Sequence, residues 1–369
     1  MKKKTKANKQ RLNNLLIVLL LSAMLLVMST YAWFTANKTV NIDSIDVKVS
    51  TSSGLQISAD GEDWKTVLDK TDLENASAKW SGAVNQLPKE MAPVSTAKNV
   101  DGNGRLEMFF GDVFADLTPG SSTYGDYVLE SSLLSGLEKD GDEGKYIAFD
   151  VFLKSGNVAK DLFMSGSVNE LKETKDGAGN LTYTPITNTA DESGIANATR
   201  IGVIKGTNTT STSVGTIRGL TTVGGKPFIW EPNADFHTAN GIANGTSLGW
   251  INNPDITHST GGSNPAIAYD GLKAVTTTPI ELSQVTAAAN PNIAAPVTID
   301  WTSIKGQNPI SLKFPDTAHD ASGNDLSNGV TRFRVYMWVE GQDIDAENYA
   351  SGTFVEYNLS FSLDPYPAT

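Results

Sequence analysis

The feature that most constrains this chain is an uncharged apolar run near its N-terminus. Residues 15–28 read LLIVLLLSAMLLVM, in which Ser22 is the only polar residue. The eleven residues at the start of the chain carry six cations and no acidic residue. A basic segment followed by an apolar segment and then by small residues is typical of an export signal. We therefore expect the cations to stay in the cytoplasm and the rest of the chain to be exported.

The apolar segment has two possible fates after export. Thr30 and Ala32 are small enough for the −3 and −1 positions of a cleavage site, which would leave Trp33 as the first residue of the mature chain. If the segment is not cleaved, residues 12–34 give a run of about 20 residues, which is long enough to cross a bilayer. The sequence leaves open whether the exported protein is free or anchored in the membrane.

The composition agrees with an extracellular or cell-surface location. The chain has no cysteine, so it contains neither a disulfide framework nor a thiol active site. Without the six N-terminal cations, 23 basic residues remain against 41 acidic residues, a net charge of −18. Such a surface repels nucleic acid and anionic lipid headgroups. We therefore expect a protein that binds no nucleic acid.

Alternation of polar and apolar residues predicts that the exported part is mainly β. Strands are expected at residues 39–50, 54–58, 105–110, 145–154, 161–168, 199–205, 227–231, 330–340 and 353–362. The last two of these runs are joined by a polar link and are expected to pair with each other antiparallel. Residues 124–139 have near-helical apolar spacing and are expected to form a short helix or a 3₁₀ turn.

The expected fold is one large antiparallel β-sandwich of jelly-roll type with one or two short helices. It spans residues 37–369 and follows the signal or transmembrane helix at residues 1–36. Residues 233–296 are poor in charge and rich in Asn, Gly, Thr and Ala. A loop of that length is improbable inside a compact core. We therefore expect this range to be an insertion with its own turns, or an interaction surface.

The first strand after the export segment is the candidate for assembly. Five apolar residues lie along it: Val40, Ile42, Ile45, Val47 and Val49. Their change of parity predicts a β-bulge at Asp43–Ser44. The strand is the element that can most easily leave its own sheet and fill a groove in a neighbour, which would build a fibre. It can also pair within its own chain, and the residues leave both possibilities open.

The sequence offers little to a catalytic or metal site. It has three histidines, none of them paired at ligand spacing, and it contains neither Gly-x-Ser-x-Gly nor a phosphate-binding loop, so we do not expect an enzyme. Two acidic turns, Asp140 with Asp142 and Asp343 with Asp345, space their oxygens as calcium prefers. Neither completes a calcium-binding loop, and Asp is also an ordinary turn residue. We expect no cofactor, and calcium at these turns stays an open alternative.

Two segments resemble those of a known family. Residues 30–35 read TYAWFT, follow the apolar run and precede a strand directly, and residues 348–361 read NYASGTFVEYNLSF. Both are similar to segments of the TasA and camelysin group, the first to its processing signal and the second to its last strand. The resemblance implies an exported matrix protein that is processed by a specialised signal peptidase. Some members of that group are described as metalloproteases, and this sequence supplies no ligands for that activity.

The expected function is that of an exported structural subunit of a cell-surface or biofilm-matrix fibre, which self-associates through its N-terminal strand. A rival class is a membrane-anchored extracellular binding module, with glycan as one possible ligand and residues 233–296 as the contact face. In that case residues 12–34 would hold it in the membrane. A secreted hydrolase is a third class, and the missing catalytic motifs argue against it.

Overall fold

The computed structural model describes the chain in twelve ranges. These are residues 39–49, 54–115, 127–134, 138–155, 162–186, 193–225, 227–230, 280–281, 310–313, 329–341, 346 and 352–362. The expected signal or anchor and almost all of the expected insertion lie outside these ranges. Within them the chain is mainly β, as predicted, with antiparallel sheets and a few short helices. No helix in these ranges is long and apolar enough to cross a membrane.

Sheet A contains the first and the last strand of the described chain. Its strands are β1 (Val40–Val49), β3 (Val67–Leu68), β4 (Glu90–Met91), β9 (Phe163–Lys175), β10 (Leu181–Pro185), β14 (Ile310–Lys313) and β16 (Phe354–Ser362). Their order across the sheet is β10–β9–β16–β1–β3, with β14 beside β9 and β4 beside β1. The ladder between β1 and β16 is parallel, and the other ladders of sheet A are antiparallel.

Sheets B and C are antiparallel in all their described ladders. Sheet B has the order β12–β11–β15–β8–β2 and is built from β2 (Gln56–Ser58), β8 (Ile147–Ser155), β11 (Thr199–Thr209), β12 (Pro227–Trp230) and β15 (Gly329–Val339). Sheet C has the order β13–β7–β6–β5 and is built from β5 (Ser95–Val100), β6 (Leu106–Ala115), β7 (Tyr127–Leu133) and β13 (Ile280–Glu281).

The three described helices are short. They are α1 (Lys70–Glu74), α2 (Ala76–Lys79) and α3 (Val214–Arg218). Helix α1 begins where Asp69 accepts a hydrogen bond from the backbone N–H of Asp72, whose side chain accepts one from the backbone N–H of Asp69. This reciprocal cap satisfies two backbone donors that a helix start would otherwise leave unpaired.

One hydrophobic core is shared by sheets A and B. It includes Val47 and Leu359 from sheet A and Phe149, Val335 and Met337 from sheet B. Each of these side chains is fully buried. Alternate residues of each strand point to this core, because successive side chains of a strand lie on opposite faces of the sheet.

Sheet B is also covered on its other face. There Tyr336 and Trp338 of β15 form a second buried cluster with Leu106 and Met108 of β6 in sheet C. Strands β8 and β15 are therefore buried along almost their whole length. A strand that is covered on both faces reads as a nearly continuous apolar run, which explains the strong signal of residues 145–154 in the sequence.

Two sequence-based expectations are wrong. Residues 127–133 form strand β7 instead of a helix, because their pairing along β6 overrides a weak helical spacing. The last two strands, β15 and β16, do not pair with each other but lie in sheets B and A. Alternation identifies a strand and its apolar face, but it does not identify the neighbouring strand.

Candidate functional site

Strand β1, the candidate for assembly, is an internal strand of sheet A in the described structure. Its five apolar side chains, Val40, Ile42, Ile45, Val47 and Val49, are all buried in the shared core. The predicted bulge is present, since the register with β16 shifts between Ile42 and Ser44. The extra residue restores the inward direction of the apolar side chains that follow.

Both edges of β1 have partners. On one edge its ladder with β16 runs from Asn41 opposite Phe354 to Val49 opposite Phe361. On the other edge, β4 pairs near the start of β1 and β3 pairs near its end. Removing β1 would therefore expose main-chain groups on both sides of a groove.

The start of β1 is hydrogen bonded to the residues that lead into β16. The backbone N–H of Asn41 donates to the carbonyl oxygen of Thr353 at 2.8 Å, and the N–H of Gly352 donates to the carbonyl oxygen of Thr39 at 2.7 Å. The side-chain amide of Asn41 also donates to the carbonyl oxygen of Gly352 at 3.1 Å. The chain therefore enters sheet A beside the beginning of β16.

The two predicted calcium turns differ in what the structure describes. Asp142 forms an exposed salt bridge with Lys89, with 3.0 Å between Oδ2 and Nζ, and this hydrogen bond and the charge of Lys89 lower the pKa of Asp142. Asp140 accepts a hydrogen bond from the backbone N–H of Asn85 at 3.1 Å. In the described ranges no three metal-binding side chains are grouped. Asp343 and Asp345 lie outside those ranges, and calcium at either turn stays a prediction.

The expected cleavage site also lies outside the described residues. Thr30, Ala32 and Trp33 precede residue 39, where the description begins. The nearest described element is β1, which begins at Val40, seven residues after Trp33. Cleavage after Ala32 stays a prediction.

Sequence reasoning missed a group of buried and half-buried charges. We call it the buried charge cluster; Glu138, Asp150 and Arg334 are buried, and Arg105 and Arg332 are half-buried. Asp150 accepts hydrogen bonds from Arg332, at 3.0 Å from Nε to Oδ1 and 2.8 Å from Nη2 to Oδ2. Its Oδ2 also lies 3.0 Å from Nη1 of Arg334. Arg334 in turn pairs with Glu138, and Nε of Arg105 lies 3.5 Å from Oε2 of Glu138.

The paired charges favour the ionised forms of Asp150 and Arg334 in spite of their burial. Burial alone raises the pKa of Asp150, but the charges and hydrogen bonds of Arg334 and Arg332 outweigh it, so that the pKa is lowered. Burial likewise opposes the charge of Arg334, and the charges of Asp150 and Glu138 hold its pKa well above the usual value. Opposite charges at short distance favour the charged form of both partners.

Backbone groups complete the surroundings of the cluster. The N–H of Asp150 donates to the side-chain oxygen of Asn85 at 3.0 Å, and the amide of Asn85 donates to the carbonyl oxygen of Leu73 at 2.9 Å. Arg332 donates to the carbonyl oxygen of Leu220 at 2.6 Å, and Arg334 donates to that of Val84 at 2.9 Å. The cluster therefore connects sheet B to α1 and to two loops, and we interpret it as structural.

A signal for this cluster was present in the sequence. Asp150 lies between Phe149 and Val151 in a strand that is otherwise apolar on both faces, and Arg334 lies between two apolar residues in the same way. A charge in a doubly buried strand needs an opposite charge beside it. The partners could not be named from the sequence, because the pairing of β8 with β15 was not predictable.

Comparison with known proteins adds no assignment. No protein-family model, no curated protein and no solved structure matches the chain. A functional argument therefore depends on the residues themselves, and first on the position of β1.

Proposed function

We propose that this chain is an exported structural subunit of a cell-surface or matrix fibre, which assembles by exchange of strand β1 between copies. The proposal takes sheets A and B as the two layers of a jelly-roll-like sandwich, because their side chains share one core. The observation that carries it is the position of β1, the first strand, with partners on both edges and five buried apolar side chains. The resemblance of residues 30–35 and 348–361 to the TasA and camelysin group points in the same direction.

Exchange would preserve the contacts of β1 while changing the molecule that supplies it. Each apolar side chain that leaves the core loses about 1.5–3 kcal/mol of burial, so an empty groove is unfavourable for a monomer. An identical strand from a neighbour has the same apolar spacing and can adopt the same register. The free energies of the two arrangements then differ mainly through the conformation of the link between β1 and β2, residues 50–55, which reads STSSGL.

The geometry of such an exchange leads to a fibre. One copy donates β1 to the groove of the next, and its own groove is filled by the copy behind it. Donor and acceptor surfaces are different, so the contact is heterologous and, unless the rotation closes a ring, it continues without limit. Main-chain hydrogen bonds supply affinity, and the inward side chains of the strand supply specificity.

A reversible cross-link between β1 and β16 tests this proposal. Lys48 and Ser360 are opposite each other in the ladder, and adjacent strands are close enough for a disulfide. The chain has no cysteine of its own, so Lys48→Cys with Ser360→Cys introduces a single possible pair. Oxidation of the monomer before assembly should lock β1 in its own sheet and prevent fibres, and a reducing agent should restore them.

Reversing the order of oxidation and assembly provides a second measurement on the same variant. If the reduced protein assembles first and is oxidised afterwards, the disulfide should join different copies and give a ladder of covalent oligomers on a non-reducing gel. Each single-cysteine variant is the control and should assemble in either redox state. Fibres of unchanged morphology from the monomer that was oxidised first would show that the strand does not exchange.

The rival function, an anchored binding module, has its expected contact face at residues 233–296. Of that range the structure describes only residues 280–281, which pair with β7. No described residue therefore favours that function over assembly. A glycan-binding screen with the oxidised double-cysteine monomer would measure binding separately from fibre formation.

A further inference from the structure

We infer that the ladder between β1 and β16 is a mechanical clamp, which resists tension applied between the N-terminal and C-terminal segments of one chain. This function is additional to fibre assembly. It follows from the direction of two strands in a single unexchanged molecule. Its test uses the monomer, so the result does not depend on whether strand exchange occurs.

The clamp depends on the parallel direction of the two strands. Both begin at the same end of sheet A, where Asn41 lies opposite Phe354, and both end where Val49 lies opposite Phe361. The described chain therefore enters β1 at one end of the sheet and β16 finishes at the opposite end, so that the N-terminal and C-terminal segments are attached at opposite ends. In an antiparallel pair these two segments would leave at the same end.

Tension between the two segments loads the ladder along its length. It pulls β1 toward its first residue and β16 toward its last, so the strands can separate only by sliding past each other. The hydrogen bonds between them are then stretched together. If both strands were pulled from the same end, the bonds would open one after another and each would oppose the force alone.

The neighbours of the two strands oppose sliding as well. Strand β16 is paired with β9 along its whole length, from Phe354 opposite Leu171 to Ser362 opposite Phe163. Strand β1 is paired with β3 and β4 on its other edge. Sliding of either strand therefore breaks more than the ladder between them.

The core also fixes the register of both strands. Val47 and Leu359 lie opposite each other and are fully buried, whereas Asp46 and Asn358 lie opposite each other and point to the other face. A shift by one residue would turn polar side chains into the core and apolar ones out of it. The first step of sliding therefore takes apolar side chains out of the core, and this loss of packing raises the barrier to separating the two strands.

Single-molecule force spectroscopy on the full chain, purified in detergent, tests the clamp by changing only the point of attachment. One variant carries Lys38→Cys and Leu363→Cys, which places the handles at opposite ends of the ladder. The matched control carries Ser50→Cys and Leu363→Cys, which places both handles at the same end. We expect the unfolding force of the first variant to be at least about twofold higher at equal pulling speed, since forced unfolding reports the barrier to unfolding.

The comparison has an internal check on folding. Residues 38, 50 and 363 lie outside the described strands, and both variants should melt at the temperature of the unaltered chain. If one of them does not fold, Asn37→Cys with Asp364→Cys repeats the first geometry. Equal unfolding forces for the two geometries, or a higher force for the control, would overturn the inference. Fibre formation plays no part in either measurement.

Discussion

The carboxylate of Asp150 illustrates how a single residue in a β protein can depend on its neighbours for its charge. It is fully buried, and its two oxygens are bonded by the guanidinium groups of Arg332 and Arg334. Replacing the whole group by apolar residues can be neutral for stability, whereas removing one member leaves a buried charge without its partner. The cluster is thus sensitive to single substitutions.

We expect Asp150→Asn to lower the free energy of unfolding by about 3–5 kcal/mol, because it leaves the half-buried Arg332 without its carboxylate partner and leaves the buried Arg334 with Glu138 alone. Urea unfolding at neutral pH, followed by circular dichroism, measures this change. Asp142→Asn is the matched control, since its salt bridge with Lys89 is exposed, and it should leave the unfolding curve in place. Similar effects of the two substitutions would contradict the role assigned to the cluster.

The lowered pKa of Asp150 also predicts the direction of acid sensitivity. An unfolded aspartate titrates near about 3.9, so the stabilisation is fully present above that pH. It is lost as the pH falls through the lower pKa of the folded state. The free energy of unfolding should therefore decrease as the pH is lowered below about 4.

The Asp150→Asn variant separates this contribution from those of other carboxylates. Asp60, Asp101 and Asp176 also have lowered pKa values, so some acid sensitivity should remain. The slope of unfolding free energy against pH should nevertheless be smaller in the variant than in the unaltered chain. An identical slope would mean that Asp150 keeps an ordinary pKa in the folded protein.

At the scale of elements, the sequence predicted strands better than it predicted their partners. The bulge in β1 could be predicted, because its apolar residues change from even to odd positions along the strand. An extra residue at the change lets all five face the same core. The separation of β15 from β16 could not, since both strands alternate equally well and the link between them has no decisive turn. The sequence predicts a helix where strand β7 forms, because the short apolar run fits the spacing of a helix as well as that of a strand. Its pairing with β6 is a tertiary contact that no local pattern shows.

The candidate site shows the same limit. The inward-facing residues of β1 and its position as the first strand could be predicted from the sequence. Its parallel partner lies near the other end of the chain, and no local pattern connects the two. The charges of the buried cluster were visible as exceptions in apolar strands, but their pairing required the order of strands in sheet B.

At the scale of the whole molecule, the proposed export leads to a prediction on processing, which would decide whether the exported protein is free or anchored. We expect cleavage after Ala32, so mass spectrometry of cell-surface material should find Trp33 at the N-terminus. Ala32→Leu removes the small residue at the −1 position and should retain the full-length chain in the membrane fraction. A mature protein that still contains residues 2–11 would show instead that the apolar segment is kept as an anchor.

The contact between β1 and β16 also sets an order of events in time. The side chain of Asn41 is bonded to Gly352, 311 positions further along the chain. Contacts of such long range form late in folding, because the entropy of closing a large loop must be lost first. If the chain crosses a membrane in the order of its sequence, β1 arrives outside first and waits for its own partner until almost all of the rest has followed. Under the proposed function, an earlier copy could capture the strand throughout that delay, so that export in this order would favour joining new molecules to old ones.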